Sequence, residues 1–288
     1  MTHGHKTIYE FMNELSIGGI AETVDALTLT ATGLEGKLSI KLVIDSLYDS
    51  LVLEEKKPFD FRGAKGWTRG SVSYAEQLKN GLKVWCILMV KGELSSKAFE
   101  TAQKLDDLKV TRIDIAVDVM LLETVKKLPR KIKDTYHGVF DVQLIESLTG
   151  DTLYCGSRES STYIRIYDKS EEYGLELGRV WRFEVEFKQD KAPIVAAHIR
   201  DNGIAIAQDI VWTALKSRGI PSPKIGQTVN LKARKVTLST ADMKLAWLGR
   251  QVKPTVEYLR SIGKEREVYE QLGFELPNEL DELDKANE

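Results

Sequence analysis

Three stretches of the chain alternate apolar and polar residues with a period of two, as strands do when one face meets a core. In Thr111–Val119, Ile113, Ile115, Val117 and Val119 alternate with Arg112, Asp114, Ala116 and Asp118. In Tyr163–Asp168, Ile164 and Ile166 alternate with Tyr163, Arg165 and Tyr167. In Val180–Lys188, Phe183, Val185 and Phe187 alternate with Arg182, Glu184, Glu186 and Lys188. For any one strand a solvated polar face is the simpler reading. Together, these faces concentrate carboxylates, arginines and tyrosines, and neighbouring carboxylates repel unless a cation or an arginine stands among them.

The rest of the chain is read around these strands. Val24–Ala31 alternates as a first strand, with Val24, Ala26, Thr28 and Thr30 opposite Asp25, Leu27, Leu29 and Ala31. Lys37–Val52 has helical spacing, and Lys56–Gly70, broken by Pro58, Gly63, Gly66 and Gly70, reads as a loop. Ser71–Leu78 and Leu82–Val90 flank Lys79-Asn80-Gly81, a hairpin signal because Asn-Gly supplies positive φ angles. Glu93–Leu108 is predicted helical, with Ser95 or Ser96 as N-cap. Strand, helix, two strands, helix, strand is the split βαβ order of ferredoxin-like folds. The expected class is therefore α+β, with antiparallel sheets.

A second copy of that order is expected to begin at or just after Val110–Val119, giving a pseudo-repeat over about 23–119 and 110–217. Its parts are a helix over Leu121–Lys133, strands at Val139–Ile145, Thr152–Cys155, Tyr163–Asp168 and Val180–Lys188, and a helical stretch Ala192–Ser217 broken at Gly203. Pro221 and Pro223 mark a linker. A body of 1–222 and a helical region of 226–288 follow, the latter with a capping-box helix from Ser239 to Gly249 and helices at Pro254–Ile262 and Lys264–Leu272.

Composition changes this picture little. The 288 residues carry a net charge of −2, with several acids in the tail from Glu275, so the body is more basic than the total. A local basic groove is compatible with that balance. No apolar run is long enough to span a bilayer and no signal-peptide core is visible, so the expected location is cytoplasmic. Cys86 and Cys155 lie in strand-like runs and read as core thiols.

The segments TRIDIAVD, GSRESSTYIRIYDKSEE and RFEVEFK, with WLGRQVKPTVEYL at Trp247–Leu259, resemble the replication initiation factor family (Rep_trans), which includes rolling-circle plasmid initiators and related relaxases. The resemblance spans about residues 110–260. On the residues alone, Tyr163 and Tyr167 share a face and either could be a nucleophile, given help, because phenol ionises near pH 10. The resemblance points to Tyr167, within Arg-Ile-Tyr-Asp-Lys. Arg165, Lys169, Arg158 and Arg182 complete the expected catalytic set.

Asp114, Glu184 and Glu186, with Asp118 in reserve, are the expected ligands of Mg²⁺ or Mn²⁺, since carboxylate oxygens suit these ions and no zinc-type Cys/His cluster is present. The turn Gly156-Ser157-Arg158 could hold a phosphate. Ser157, Arg158, Lys188, Lys232, Arg234 and Lys235 are expected on DNA, and the helical region 226–288 is the candidate element for duplex-origin recognition, a helix being matched to the major groove. The resemblance implies a metal-dependent nickase and strand transferase, joined to a 5′ end and freeing a 3′-hydroxyl. It further implies a homodimer at origin DNA, working with a host helicase and DNA polymerase. A relaxase of a conjugative or integrative element, or a phage initiator, would use the same chemistry. A different class of reading is a non-catalytic module for single-stranded nucleic acid.

Overall fold

The alternating stretches are strands, and they lie side by side. The computed structural model describes residues 8–79, 83–136, 138, 140–147, 150–222, 228–231, 253–264 and 267. The chain divides into two units, 1–233 and 234–288. Unit 1 begins with α1 (Ile8–Asn13), β1 (Ile17–Thr32), α2 (Gly33–Ser46) and α3 (Tyr48–Leu51). Four strands follow, β2 (Lys56–Phe61), β3 (Ala64–Arg69), β4 (Val72–Lys79) and β5 (Lys83–Lys91), then α4 (Leu94–Ala102) and β6 (Lys109–Leu121). Next come α5 (Leu128–Thr135), β7 (Val142–Ile145), β8 (Thr152–Cys155), β9 (Thr162–Asp168) and β10 (Val180–Lys188). Helices α6 (Lys191–Asn202) and α7 (Ala207–Ser217) complete the unit. In unit 2 the described helix is α8 (Lys253–Ser261), which falls on the expected Pro254–Ile262. Among the described residues no helix is long and apolar enough to cross a membrane.

All ten strands form one antiparallel sheet in the order β2-β3-β4-β5-β1-β6-β10-β9-β8-β7. The order β4-β5-β1-β6 is that of a split βαβ unit, with α2 and α4 as its helices. The second copy reuses β6 as its first strand. There, α5 precedes β9, α6 follows β10, and β6 lies beside β10. Each copy inserts a hairpin after its first helix, β2–β3 in one and β7–β8 in the other. A pseudo-twofold axis therefore passes between β1 and β6, perpendicular to the sheet, and keeps each sheet face on its own side.

One face is the core. Leu27, Leu29, Leu88, Ile113, Ile115, Val117, Ile164, Ile166, Phe183 and Val185 pack under Ile40, Val43, Phe99, Val195 and Ile199 of the helices. Trp212 of α7 meets Phe183 edge-on, with ring centroids 5.2 Å apart. Val229, past the described end of α7, also belongs to this core, its N–H donating to Thr213 Oγ1 at 3.0 Å.

Four local expectations are corrected. Residues 56–70 are a hairpin rather than a loop. Arg62 and Gly63 both have positive φ (51° and 86°), as a two-residue turn between twisted strands requires. Pro58 is tolerated because β2 is an edge strand. The helix expected over Glu93–Leu108 stops at Ala102, and neither serine caps it: Ser95 is buried, its hydroxyl donating to the Asp25 carbonyl. The helix expected from Leu121 begins only at Leu128, because β6 runs on to Leu121 and Pro129 fits a helix's first turn but not its interior. Finally, the β1–β6 register slips between Val24 and Ala26, so Asp25 is an extra residue in a bulge. The alternation had placed its side chain with Leu27; the bulge turns it to the opposite face.

Candidate functional site

The face opposite the helices carries the ionisable residues in rows fixed by register. Asp114, Glu186 and Tyr163 lie abreast on β6, β10 and β9. Ala116, Glu184 and Arg165 form the next row, and Asp118, Arg182 and Tyr167 the third. This is not a solvated face. Asp114 is 0% exposed, Glu184 1%, Glu186 2%, and Asp118 and Arg182 5% each.

Burial of that many charges requires compensation, and the strands supply it. Arg112 donates to both oxygens of Asp114, at 2.8 and 2.6 Å, and its Nη2 stands 2.8 Å from Glu186 Oε2. That last contact lacks hydrogen-bond geometry, which leaves Glu186 Oε2 buried without a donor. Lys188 meets the other Glu186 oxygen at 2.8 Å. Arg165 pairs with Glu184 and reaches Asp114 Oδ2 at 3.3 Å. Its own Nε is buried with no acceptor. Arg182 is the hub of the third row: it grips Asp118 with Nε and Nη2, at 2.6 and 2.7 Å, and Asp25 Oδ1 with Nη1, at 2.8 Å. Tyr173 donates to Asp118 Oδ2 at 2.7 Å.

Tyr167 sits among these groups with its hydroxyl donating to Glu184 Oε2 at 3.2 Å. The strand that carries it is pinned just beyond, where Asp168 Oδ1 accepts from Ser170 N at 2.9 Å and Lys169 N donates to the Val180 carbonyl at 2.8 Å. Burial, reinforced by the Glu184 carboxylate, raises the Tyr167 hydroxyl well above the ordinary phenol range. Burial also lifts Glu184 to about 7, outweighing the opposing pull of Arg165. Burial raises Asp114 too, against Arg112. The resting site therefore holds a neutral phenol against a carboxyl that titrates near neutrality.

Not every expected residue joins this array. Lys169 lies past the end of β9, outside the strand alternation, and pairs with Glu172 at 3.0 Å. Asp118 belongs to the Arg182 group, four residues along β6 from Asp114. Arg158 lies in the turn after Gly156, whose φ of 93° suits glycine, and its guanidinium covers the Tyr163 ring at 4.8 Å. Tyr154 stacks on Tyr163 at 5.8 Å, leaving Tyr163 only 6% exposed. Ser157 Oγ accepts from Glu159 N at 3.2 Å within the same turn, and Lys188 also donates to the Arg158 carbonyl. Lys232, Arg234 and Lys235 lie outside the described residues.

Asp25, Tyr173 and Arg112 are partners of the array that the sequence pattern left out of the site. Arg112 was visible on the polar face of its strand. Asp25 was hidden by the bulge and Tyr173 by its place in a short turn, with no periodicity to reveal either.

Among the described residues no three Asp, Glu, His or Cys side chains are grouped to hold a metal ion. The donor types of Asp114, Glu184 and Glu186 suit Mg²⁺ or Mn²⁺, but as arranged their oxygens face guanidinium and ammonium groups. The set does not fit a cation without displacement of Arg112 or Arg165.

The site is thus a phenol, carboxylates and arginines interleaved on one face of a ferredoxin-like sheet. Residues 108–218, which span β6 to α7 and hold most of the array, match the replication initiation factor family, Rep_trans. That likeness covers β6 to α7 and does not extend over the rest of the chain. The rolling circle replication initiator protein from Geobacillus stearothermophilus is similar in structure over 81% of this chain and 96% of its own, at 20% identity and a TM-score of 0.49. The regulatory subunit of aspartate kinase from Thermus thermophilus aligns over 65% of this chain and 97% of its own, at 10% identity and a TM-score of 0.18. No curated protein sequence matches the chain.

Proposed function

We propose that the chain is a DNA strand transferase that starts rolling-circle replication by nicking one strand at an origin, with Tyr167 as nucleophile. The observation that carries this reading is the Tyr167–Glu184 hydrogen bond beside the unpartnered Nε–H of Arg165, inside the family segment. A nucleophile held on a base, with a cationic donor to spare, is what attack on a phosphodiester needs.

In this reading Tyr167 Oη attacks the scissile phosphorus as its proton passes to Glu184. The bond from phosphorus to the 3′ oxygen breaks and the proton held by Glu184 is passed, directly or through solvent, to that oxygen, which becomes the 3′-hydroxyl that primes synthesis. The 5′ phosphate stays as an ester of Tyr167. Attack by a 3′-hydroxyl on that ester reverses the step and rejoins a strand. Arg165 Nε donates to a non-bridging oxygen as negative charge develops there. Arg182 holds Asp118 and Asp25 and so fixes the wall beside Tyr167; it is a positioning residue. Arg158 and Lys188, at the far end of the face, serve the neighbouring phosphates.

Mg²⁺ or Mn²⁺ would have to displace Arg112 from Asp114 and Glu186, and would then add charge neutralisation at the phosphate. Origin DNA is the substrate, and a homodimer, a host helicase and a DNA polymerase are the proposed associates. A conjugative relaxase would use the same residues. The test is covalent capture: the protein is incubated with single-stranded origin oligonucleotides, resolved under denaturing conditions and mapped by mass spectrometry. The expected product is a phosphotyrosyl peptide containing Tyr167. An adduct on Tyr163 would reassign the nucleophile, and DNA cleavage with no protein adduct would overturn the mechanism.

A further inference from the structure

The pseudo-twofold axis sets a counterpart beside the candidate site, on the same sheet face. Strands β4 and β5 correspond to β9 and β10, yet where the latter carry carboxylates and arginines the former carry an aromatic and basic surface. Trp85, Ile87 and Met89 of β5 stand beside Ala75 of β4, with Phe59 and Phe61 of β2 beyond Ala64 and Gly66 of β3. This cluster is built wholly of strand residues; among the described residues no helix side chain joins it.

The charges on this face of β2, β4 and β5, and in the β2–β3 turn, have one sign. Lys79 lies over the Trp85 ring at 5.0 Å and Arg62 over Phe61 at 5.3 Å. Lys57, Lys83 and Lys91 occupy the same face by register, Lys57 beside Glu55, which precedes β2. The acids within these strands point the other way: Asp60 pairs with Lys65, and Glu76 with Lys37 of α2. Small and neutral residues of β1, Ala26, Thr28 and Thr30, join the two halves. Lys91, Ala26, Asp114, Glu186 and Tyr163 lie in one continuous row.

We infer that this face is a binding track for single-stranded DNA, continuous with the nicking site. The inference rests on the proposed function and adds where the strand runs. Bases stack on Trp85, Phe59 and Phe61 while the lysines follow the backbone, the combination that binds single strands with little sequence preference. Four strand steps separate β5 from β9, so the track starts about 19 Å from the strand of Tyr167 at the usual spacing of ~4.8 Å. A strand opened at the origin would thus be held on the enzyme rather than left to re-pair.

The experiment uses the full chain and fluorescein-labelled oligo(dT) of about 30 nucleotides, longer than a single site, followed by anisotropy across a salt series. Trp85→Ala is expected to weaken binding roughly ten-fold, the scale of one lost stacking contact, and Trp85→Phe to restore most of it. Should Trp85→Ala misfold, the double variant Lys79→Ala/Lys83→Ala, at exposed positions, carries the test. Its slope of log affinity against log salt should fall by about 1.4, two phosphate contacts at ~0.7 each. Unchanged oligo(dT) binding in both variants would overturn the track. So would a change from dimer to monomer in sedimentation with oligo(dT) binding intact, which would make the face a contact between copies. An adduct that fails to map to Tyr167 while Trp85→Ala still loses oligo(dT) would sink the nicking mechanism and leave the track standing.

Discussion

Tyr167 faces Arg182 directly across β9 and β10, yet its hydroxyl reaches diagonally past that guanidinium to Glu184 Oε2. The strand partner is spent on Asp118 and Asp25, and the diagonal neighbour is the carboxylate that the hydroxyl meets. In the proposed mechanism that arrangement separates a residue that holds the site, Arg182, from one that takes part in the reaction, Glu184.

Tyr167→Phe removes one hydroxyl and one hydrogen bond from a packed ring, so stability should change by only about 0.5–1.5 kcal/mol. DNA binding should persist while the covalent adduct disappears. Denaturing gels beside an anisotropy titration would check both. A Phe variant that still forms the adduct would remove Tyr167 from the reaction.

Glu184 gives a pH dependence of definite sign. Its carboxyl is raised from 4.5 to about 7, so the proton-accepting form grows as pH rises through 7, and nicking should rise with it. Stability should move the other way. The folded state binds the extra proton between 4.5 and about 7, so this group's contribution is full below 4.5 and is lost as pH rises through 7. Glu184→Gln should flatten both profiles. Thermal melts and initial rates from pH 5 to 9 test them separately, and a parental nicking rate that falls with pH would exclude Glu184 as the base.

Arg182→Ala leaves Asp118 buried without its cation and should destabilise the fold by about 3–5 kcal/mol. Asp25→Asn touches a more exposed pair, 26% exposed on the Asp25 side, and should cost under about 1 kcal/mol. Urea melts of the two variants check the ranking. Equal losses would mean that the bulge, rather than the ion pair, organises that row.

Arg112 competes with any cation for Asp114 and Glu186. Arg112→Ala should therefore tighten Mn²⁺ binding, read by the quenching of free Mn²⁺ paramagnetic resonance without reference to activity. Unchanged or weaker binding would show that these carboxylates are not where the ion goes.

Origin preference is proposed to reside after the body, and Val229 dictates where to cut. A chain ending after Leu231 keeps Val229 in the core, whereas ending at Ser222 forfeits roughly 1.5–3 kcal/mol of its burial. The longer truncation should stay folded, lose its preference for duplex origin over random duplex, and keep weak nicking of single strands. Full origin preference in that truncation would move recognition into residues 1–231.

The parts of the fold legible in the sequence were those where one rule acted alone. Strict alternation located β6, β9 and β10 to within a residue or two, and strand-helix order was enough for the ferredoxin-like halves and their shared strand. The hairpin at 56–70 was missed because Gly63 and Pro58, which usually break structure, here make a two-residue turn and an edge strand. The array's members on three strands were legible for the same reason as the strands themselves. Its neutralisation was not, because pairing of Arg165 with Glu184 depends on register, and register depends on residues more than a dozen positions away. Asp25 was invisible for a sharper reason: one inserted residue reverses the side of the strand.

Because β6 ends one half and begins the other, the half completed at Leu121 presents β6 as an open edge until β10 is made. β1 waits some 77 residues for β6, counted from Thr32 to Lys109, and β6 waits a further 59, from Leu121 to Val180, for β10. Such delayed pairing is slow and leaves strand edges open meanwhile. The nascent chain should depend on chaperones until β10 docks, and then unfold as a single cooperative body rather than as two.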